Sequence, residues 1–446
     1  MSTQNPVTSS KANPLRGVAN IPGDKSMSHR ALMMGGLAVG ETIISGLLEG
    51  EDVMHTADAM RSLGATIEGG SDGLWRTFGV GVGGLKEPDT TLQMGNSGTS
   101  TRLLIGLVST HPITCTFEGD ESLTKRPMNR VIKPLEIMGA EFMAREGGRL
   151  PLTVKGTGEP MPIEYESPVA SAQVKSAIML AGLATPGTTT VIENTPTRDH
   201  TEHMLRHFGV SVEVEDLKNG AQAIHVQGQQ ELEGCAIDIF SDPSSAAFPA
   251  VAALINEGSE IRLPNIGLNP RRAGLFQTLI EMGADIKYED DRIQTGERVA
   301  DLIIKADKPL KGIHVPPARV PSMIDEFPIL AVAASCAIGK TTMMGLEELR
   351  VKESDRLLMM ANGLKACGVD LEMGEDSLTI NGTGKPPKGG ATIETALDHR
   401  IAMSFLILGS VTDEPITIDD GSPIKTSFPD FVDLMNGLGL SIIQTD

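Results

Sequence analysis

The sequence predicts an α/β protein of two domains, each built from three copies of one helix-and-strand unit. Two interleaved series of similar segments carry that prediction, and a composition rich in small residues supports it. In the first series a helical pattern closes on an apolar residue and a glycine, then passes into an alternating strand: RSLGATIEG, EIMGAEFMA, RHFGVSVEVE, IEMGADIKYE, KACGVDLEMG and NGLGLSII. Gly64, Gly139, Gly209, Gly283, Gly368 and Gly439 stand where a left-handed helix C-cap belongs. In the second series a helix of small and aliphatic residues is followed by a turn and a β-rich run: SHRALMMGGLAVGETIISGL, STRLLIGLVSTHPITCTFEG, AQVKSAIMLAGLATPGTTTVIEN, SSAAFPAVAALINEGSEIRLPNI, DEFPILAVAASCAIGKTTMMGL and HRIAMSFLILGSVTDEPITIDDG.

Each unit therefore holds two helices and several strands in roughly 70 to 85 residues, too little to stand alone and enough for a third of a domain. Open solenoids repeat at 20 to 50 residues, so the longer period argues against a scaffold of that kind. The helices have narrow polar faces, which places them inside with sheet around them. With 446 residues, 40% hydrophobic and 3% aromatic, and 49 glycines, the chain has the profile of a globular α/β protein with closely packed helices.

A net charge of -20 disfavours nonspecific binding to nucleic acid or anionic lipid. It leaves room for an anionic substrate, because a local basic cluster governs its own cleft within a Debye length of about 8 Å. Cys115, Cys235, Cys336 and Cys367 are far apart and lack zinc spacing, as expected of reduced thiols. The N-terminal MSTQNPVTSSKANPL lacks a secretory apolar core, and no apolar run reaches the ~20 residues of a membrane helix. A cytoplasmic location is expected.

What precedes each small-residue helix points to function. In chain order these are Lys25-Ser26, Asn96-Ser97-Gly98-Thr99, Ser171-Ala172-Gln173, Asp242-Pro243-Ser244-Ser245, Ser322 to Asp325, and Asp398-His399-Arg400. Ser, Thr, Asn and Asp cap helix N-termini, and free N–H groups there attract anions at about 0.3 to 1 kcal/mol each, so several must converge to hold a substrate. The second helices add cations near their starts: Lys125-Arg126, Arg198, Arg271-Arg272, Lys352 and Arg356 in KESDR, and Lys425. Singly, each such feature is more often a cap or a solvated ion pair. Together, in pseudo-symmetric units, they predict a multi-pronged site for phosphate and carboxylate groups.

Other chemistries fit less well. Asp24, Ser26 and His29 are too close in sequence for a hydrolase triad, and neither a G-x-S-x-G elbow nor a Walker lysine is present. His200, His203 and His207 have helical spacing beside Glu202, but HExxH is absent, and solvated or half-buried histidines are expected there rather than metal ligands.

The ensemble PGDKSMSHRALMMGGLA, GNSGTSTRLL, GDESLTKRPMNR, SAQVKSAIMLAGL, EELRVKESDR, LDHRIAMSF and TSFPDF resembles the 5-enolpyruvylshikimate-3-phosphate synthase family, in order from about residue 13 to 440. The resemblance implies a two-domain inside-out α/β barrel of six βαβαββ repeats, three per domain. One domain would span 23–241 and the other 1–22 plus 242–446, with crossovers near Ile21 and Ser241. It implies transfer of the enolpyruvyl group of phosphoenolpyruvate to the 5-hydroxyl of shikimate 3-phosphate, with release of phosphate and no metal or organic cofactor. It also implies a monomer without nucleic-acid or membrane partners, and glyphosate as an inhibitor.

By the same resemblance Lys25 touches both substrates and counts with Asp325 and Glu353 among the catalytic residues, while Ser26, Arg30, Ser171, Ala172, Gln173, Arg198, Asp325 and Lys352 hold shikimate 3-phosphate. Gly98, Arg126, Arg356 and Arg400, with Lys25 and Gln173 shared, hold phosphoenolpyruvate. Asp325 is the implied base at the 5-hydroxyl and Glu353 the implied acid at the methylene carbon. A carboxylic acid beside Lys352 and Arg356 is ordinarily held ionised, so the acid role requires burial or substrate charge. One departure stands out: Thr426 occupies a place where relatives carry a lysine, and Lys425 is one residue earlier. The related UDP-N-acetylglucosamine enolpyruvyl transferases carry a reactive cysteine in the loop matching GDESLTKRP, where this chain has none. A noncatalytic sugar-phosphate sensor would have no need of Asp325 and Glu353.

Overall fold

The structure, a computed structural model, describes residues 5–444. The chain divides into two compact units. One comprises Gly23–Ile239 with Ile293–Glu297; the other comprises the residues up to Pro22, Phe240–Arg292 and those from Arg298 onward.

The first unit contains α1 (Lys25–Gly35), α2 (Glu51–Ser62), α3 (Gly98–Ser109), α4 (Asn129–Ile137), α5 (Ala172–Gly182) and α6 (His200–His207). Three four-stranded sheets accompany them, and each joins one parallel pair to antiparallel neighbours. The odd-numbered helices are buried along unbroken runs, Met27–Gly35 in α1 and Val174–Gly182 in α5, so no face is left for water. The strands instead alternate, as in Arg149–Lys155, where every second side chain is buried. Helices without a polar face and sheets with one put the helices inside and the sheets outside. Helix α3 approaches α5 so closely that a Cβ on Gly106 would lie 2.2 Å from the Ala177 carbonyl oxygen.

The second unit repeats the plan with α7 (Pro243–Ile255), α8 (Gly274–Glu281), α9 (Phe327–Cys336), α10 (Arg356–Ala366), α11 (His399–Gly409) and α12 (Phe431–Leu438). Helix α7 is buried from Pro243 to Leu254. Two of its sheets have four strands; the third has three, Ile338–Met344, Leu371–Met373 and Ser377–Thr383, with isolated bridges at Lys311 and His314 extending its open edge. The strand Val7–Ser10 lies between Ile416–Ile418 and Ser441–Gln444.

The architecture is the α/β, six-repeat, inside-out arrangement expected from the sequence. All six repeat glycines have φ between +85° and +117°, a conformation in which a side chain would be strained. The four cysteines are free. Burial pushes the Cys115 and Cys336 thiols up to about 12 and those of Cys235 and Cys367 up to about 11, so all four stay protonated near neutrality. Among the described residues no helix is long and apolar enough to cross a membrane.

Candidate active site

Within the first unit the helix N-termini are stitched to one another by polar side chains. Asp24 caps α1 by accepting from Met27 N at 2.8 Å, Ser97 caps α3 from Ser100 N at 3.2 Å, and Ser171 caps α5 from Val174 N at 3.5 Å. Lys25 and Ser26 form the first turn of α1, and Lys25 makes a short ion pair with Asp52 of α2. Arg30, one turn further, is buried and donates to Ser176 of α5 and Thr201 of α6, each at 2.8 Å. Burial lowers its pKa to about 10, against the opposing charge of Glu202, and the guanidinium remains a cation at neutral pH.

His29 and Ser28 are fully enclosed. Ser28 donates to the Asp24 carbonyl at 2.8 Å, and His29 Nδ1 lies 2.8 Å from Thr56 Oγ1 and 3.2 Å from Ser100 Oγ. Burial, then Lys25 and Arg30, lower the His29 pKa well below its ordinary value. A neutral imidazole on α1 therefore bridges to Thr56 of α2 and Ser100 of α3.

Gly98 opens α3, with Arg126 and Arg102 on either side. Arg126 donates to the Asn96 side chain in a short contact and to Ser122 Oγ at 2.9 Å. Arg102 donates to Gln173 Oε1 at 2.9 Å, and Gln173 Nε2 donates to Thr99 Oγ1 at 3.0 Å. A Cβ on Gly98 would stand 2.8 Å from Arg102 Nη1 and 3.1 Å from Arg126 Nη1. Arg198 sits half-buried in the loop before α6. That loop is anchored from below: Lys175 Nζ lies 2.9 Å from Glu193 Oε2 and 2.7 Å from Glu202 Oε1, all three buried, and Glu193 accepts from Thr197 N at 3.2 Å.

The second unit gathers carboxylates around one arginine. Arg356, the first residue of α10, has a side chain only 1% exposed. It donates to Asp398 Oδ2 at 2.8 Å and Asp325 Oδ1 at 3.2 Å, and to Glu353 in a short contact. Burial alone would lower its pKa, but Asp398, Glu353 and Asp325 outweigh that and raise it. Lys352 Nζ is 3.5 Å from Asp325 Oδ1. Arg400 donates through Nη1 to the Asp325 carbonyl at 3.0 Å, and its backbone N–H is held by Asp398 at 2.9 Å. Lys425 is exposed on a 3₁₀ turn, Ser422–Thr426.

One helix start differs from expectation. Asp242, Asp355 and Asp398 cap α7, α10 and α11 with their side chains, but α9 begins at Phe327 after two 3₁₀ turns and Glu326 makes no capping bond. Pro328 is the second residue of that helix, where its missing N–H costs nothing, and the Glu326 carboxylate turns to arginines instead.

Motif reading gives no role to Arg102, Asp52, Lys175 or Glu326. Lys175 had a visible signal, as the lone charge within the apolar helix SAQVKSAIMLAGL. At the start of α6, Asp199, His203 and Glu297 place oxygen and nitrogen atoms within 4.8 Å of one another. The hydrogen bond with Asp199 raises the pKa of His203 despite its partial burial.

A family model described as EPSP synthase (3-phosphoshikimate 1-carboxyvinyltransferase) matches residues 9–435. Proteins named 3-phosphoshikimate 1-carboxyvinyltransferase from Paramagnetospirillum magneticum and Parvibaculum lavamentivorans are 62% and 58% identical, over 98% of this chain and 98% and 97% of theirs. A solved EPSP synthase from Acinetobacter baumannii is similar along the whole of both chains, with a TM-score of 0.87 and 46% identity. The enolpyruvyl transferase NikO from Streptomyces tendae shares the fold, with a TM-score of 0.78 at 18% identity over 99% of each chain.

Proposed function

Because this chain belongs to the EPSP synthase family, we propose that it transfers the enolpyruvyl group of phosphoenolpyruvate to the 5-hydroxyl of shikimate 3-phosphate, releasing phosphate, in the route to aromatic amino acids. The observation that supports this most strongly is the pairing of two carboxylates, Asp325 and Glu353, with the single buried guanidinium of Arg356. The reaction needs that combination. The 5-hydroxyl oxygen bonds to C2 of phosphoenolpyruvate as its proton leaves to a base and a proton reaches C3. The tetrahedral adduct then loses a proton from C3 and phosphate from C2, restoring the double bond.

Asp325 takes the hydroxyl proton and Glu353 exchanges the proton at C3. Lys352 contacts shikimate 3-phosphate, as do Ser26, Arg30, Ser171, Ala172 through its backbone, Gln173 and Arg198. Arg126, Arg356 and Arg400, with Lys25, Gln173 and Gly98, take phosphoenolpyruvate. Arginine forks and helix N–H groups suit its phosphate and carboxylate. The protein acts as a cytoplasmic monomer and is inhibited by glyphosate. Gly98→Ala, by pushing the Arg102 and Arg126 guanidinium groups aside, should raise the inhibition constant for glyphosate about tenfold or more; an unchanged constant would remove Gly98 from the pocket.

The assay that tests the reading is phosphate release from phosphoenolpyruvate with shikimate 3-phosphate, run beside UDP-N-acetylglucosamine as the competing acceptor. Turnover with the first alone is expected. Turnover only with the second would sink the proposal.

A further inference from the structure

We infer that Glu326, which neighbours the proposed base in sequence, is a positioning residue that sets Arg400 for its anionic ligand. The inference rests on the reading above, in which Arg400 holds phosphoenolpyruvate. Glu326 is only 2% exposed, and its Oε1 alone receives three donors: Ser244 Oγ in a short contact, Arg272 Nη1 at 3.2 Å and Arg400 Nη1 at 3.4 Å. Its Oε2 is enclosed and has no hydrogen-bond partner among the described residues.

Those donors come from three separate elements. Ser244 is in the first turn of α7, Arg272 lies in the loop before α8, and Arg400 is in the first turn of α11. Arg272 also donates to Asp242, the residue that caps α7, at 3.2 Å. One carboxylate oxygen thus ties the starts of two inner helices together, and its own backbone follows Asp325, whose carbonyl takes the same Nη1 of Arg400.

A neutral hydrogen-bonding group would not do this. Arg272 and Arg400 both aim an Nη1 at one atom, so without a negative charge between them the two guanidinium groups repel. Arg272 is 3% exposed and pinned by Asp242, whereas the Arg400 side chain is 13% exposed. Arg400 is the one that would swing away. Its loosening would tax recognition of phosphoenolpyruvate and leave shikimate 3-phosphate untouched.

The test is steady-state kinetics of Glu326→Gln with each substrate varied in turn. The expected result is a KM for phosphoenolpyruvate raised about tenfold, with the KM for shikimate 3-phosphate and kcat within about twofold. In an Arg400→Ala background the same change should add less than about twofold, because the group it positions is gone. Equal effects in both backgrounds, an unchanged KM for phosphoenolpyruvate, or a parallel loss in both KM values would overturn the inference. Should Glu326→Gln fold poorly, Ser244→Ala removes one neutral donor and should still raise the phosphoenolpyruvate KM about two- to threefold; no change there would also overturn it. A wild-type protein that does not turn over these two substrates would bring down the functional reading and this inference with it, whereas an active wild type leaves only the role of Glu326 at stake.

Discussion

Asp325→Asn lowers turnover by about 10²- to 10⁴-fold and leaves the dissociation constants of both substrates within severalfold of wild type. The loss corresponds to about 3 to 5.5 kcal/mol of transition-state stabilisation. Asparagine keeps the shape of the side chain and an oxygen for Arg356 and Lys352, which stand 3.2 and 3.5 Å from Asp325 Oδ1. It cannot accept the hydroxyl proton. The fold should tolerate the change, because Arg356 retains Asp398 and Glu353 as counter-charges. Single-turnover kinetics with calorimetric binding of each substrate would separate the two effects. Turnover within threefold of wild type would remove Asp325 from the base role.

Lys175→Met destabilises the protein by about 3 to 5 kcal/mol, the cost of leaving buried charge without its partner. Here that charge is doubled, since Glu193 and Glu202 are both buried and both pair with the one ammonium. Burial favours neutral lysine, but the two glutamates outweigh it and raise its pKa above 10.5. The sign follows: a raised folded value means the stabilising charge is fully present below the ordinary lysine pKa and is lost only as pH climbs through the raised one. Wild-type stability should therefore show no Lys175 transition anywhere near neutrality. Urea unfolding of the variant checks the magnitude, and a change under about 1 kcal/mol would mean that the two glutamates find other relief. Activity should suffer too, because Glu193 also fixes Thr197 beside Arg198.

What the sequence made legible is local. A glycine closing a helix and a serine or aspartate opening one act within a single turn, so Gly64, Gly139, Ser97, Ser171, Asp242 and Asp398 could be read in place, and the recurrence of such signals exposed six repeats. The motif residues were equally visible as a set. Their partners were not, because the fold and not the spacing chooses them. Arg356 meets Asp398 across 42 residues, and His29 meets Ser100 across 71. KESDR by itself suggests a solvated i, i+4 ladder; only the buried guanidinium turns it into a hub. Glu326 illustrates the same limit, since nothing in SMIDEFPIL distinguishes a capping acid from one that holds two arginines.

Among the described residues, the strand Val7–Ser10 pairs with Ile416–Ile418 on one side and Ser441–Gln444 on the other. During translation it leaves the ribosome well before either partner, since Thr8 and Thr417 are 409 residues apart in the chain. The unit spanning Gly23–Ile239 is nearly continuous in the chain and can begin to assemble while synthesis proceeds. The other unit cannot complete that sheet until Ser441–Gln444 has emerged, so the edge of Val7–Ser10 must stay soluble and unpaired throughout the interval. Nascent chains truncated before residue 416 should thus carry one ordered unit and one waiting for its first strand to be claimed.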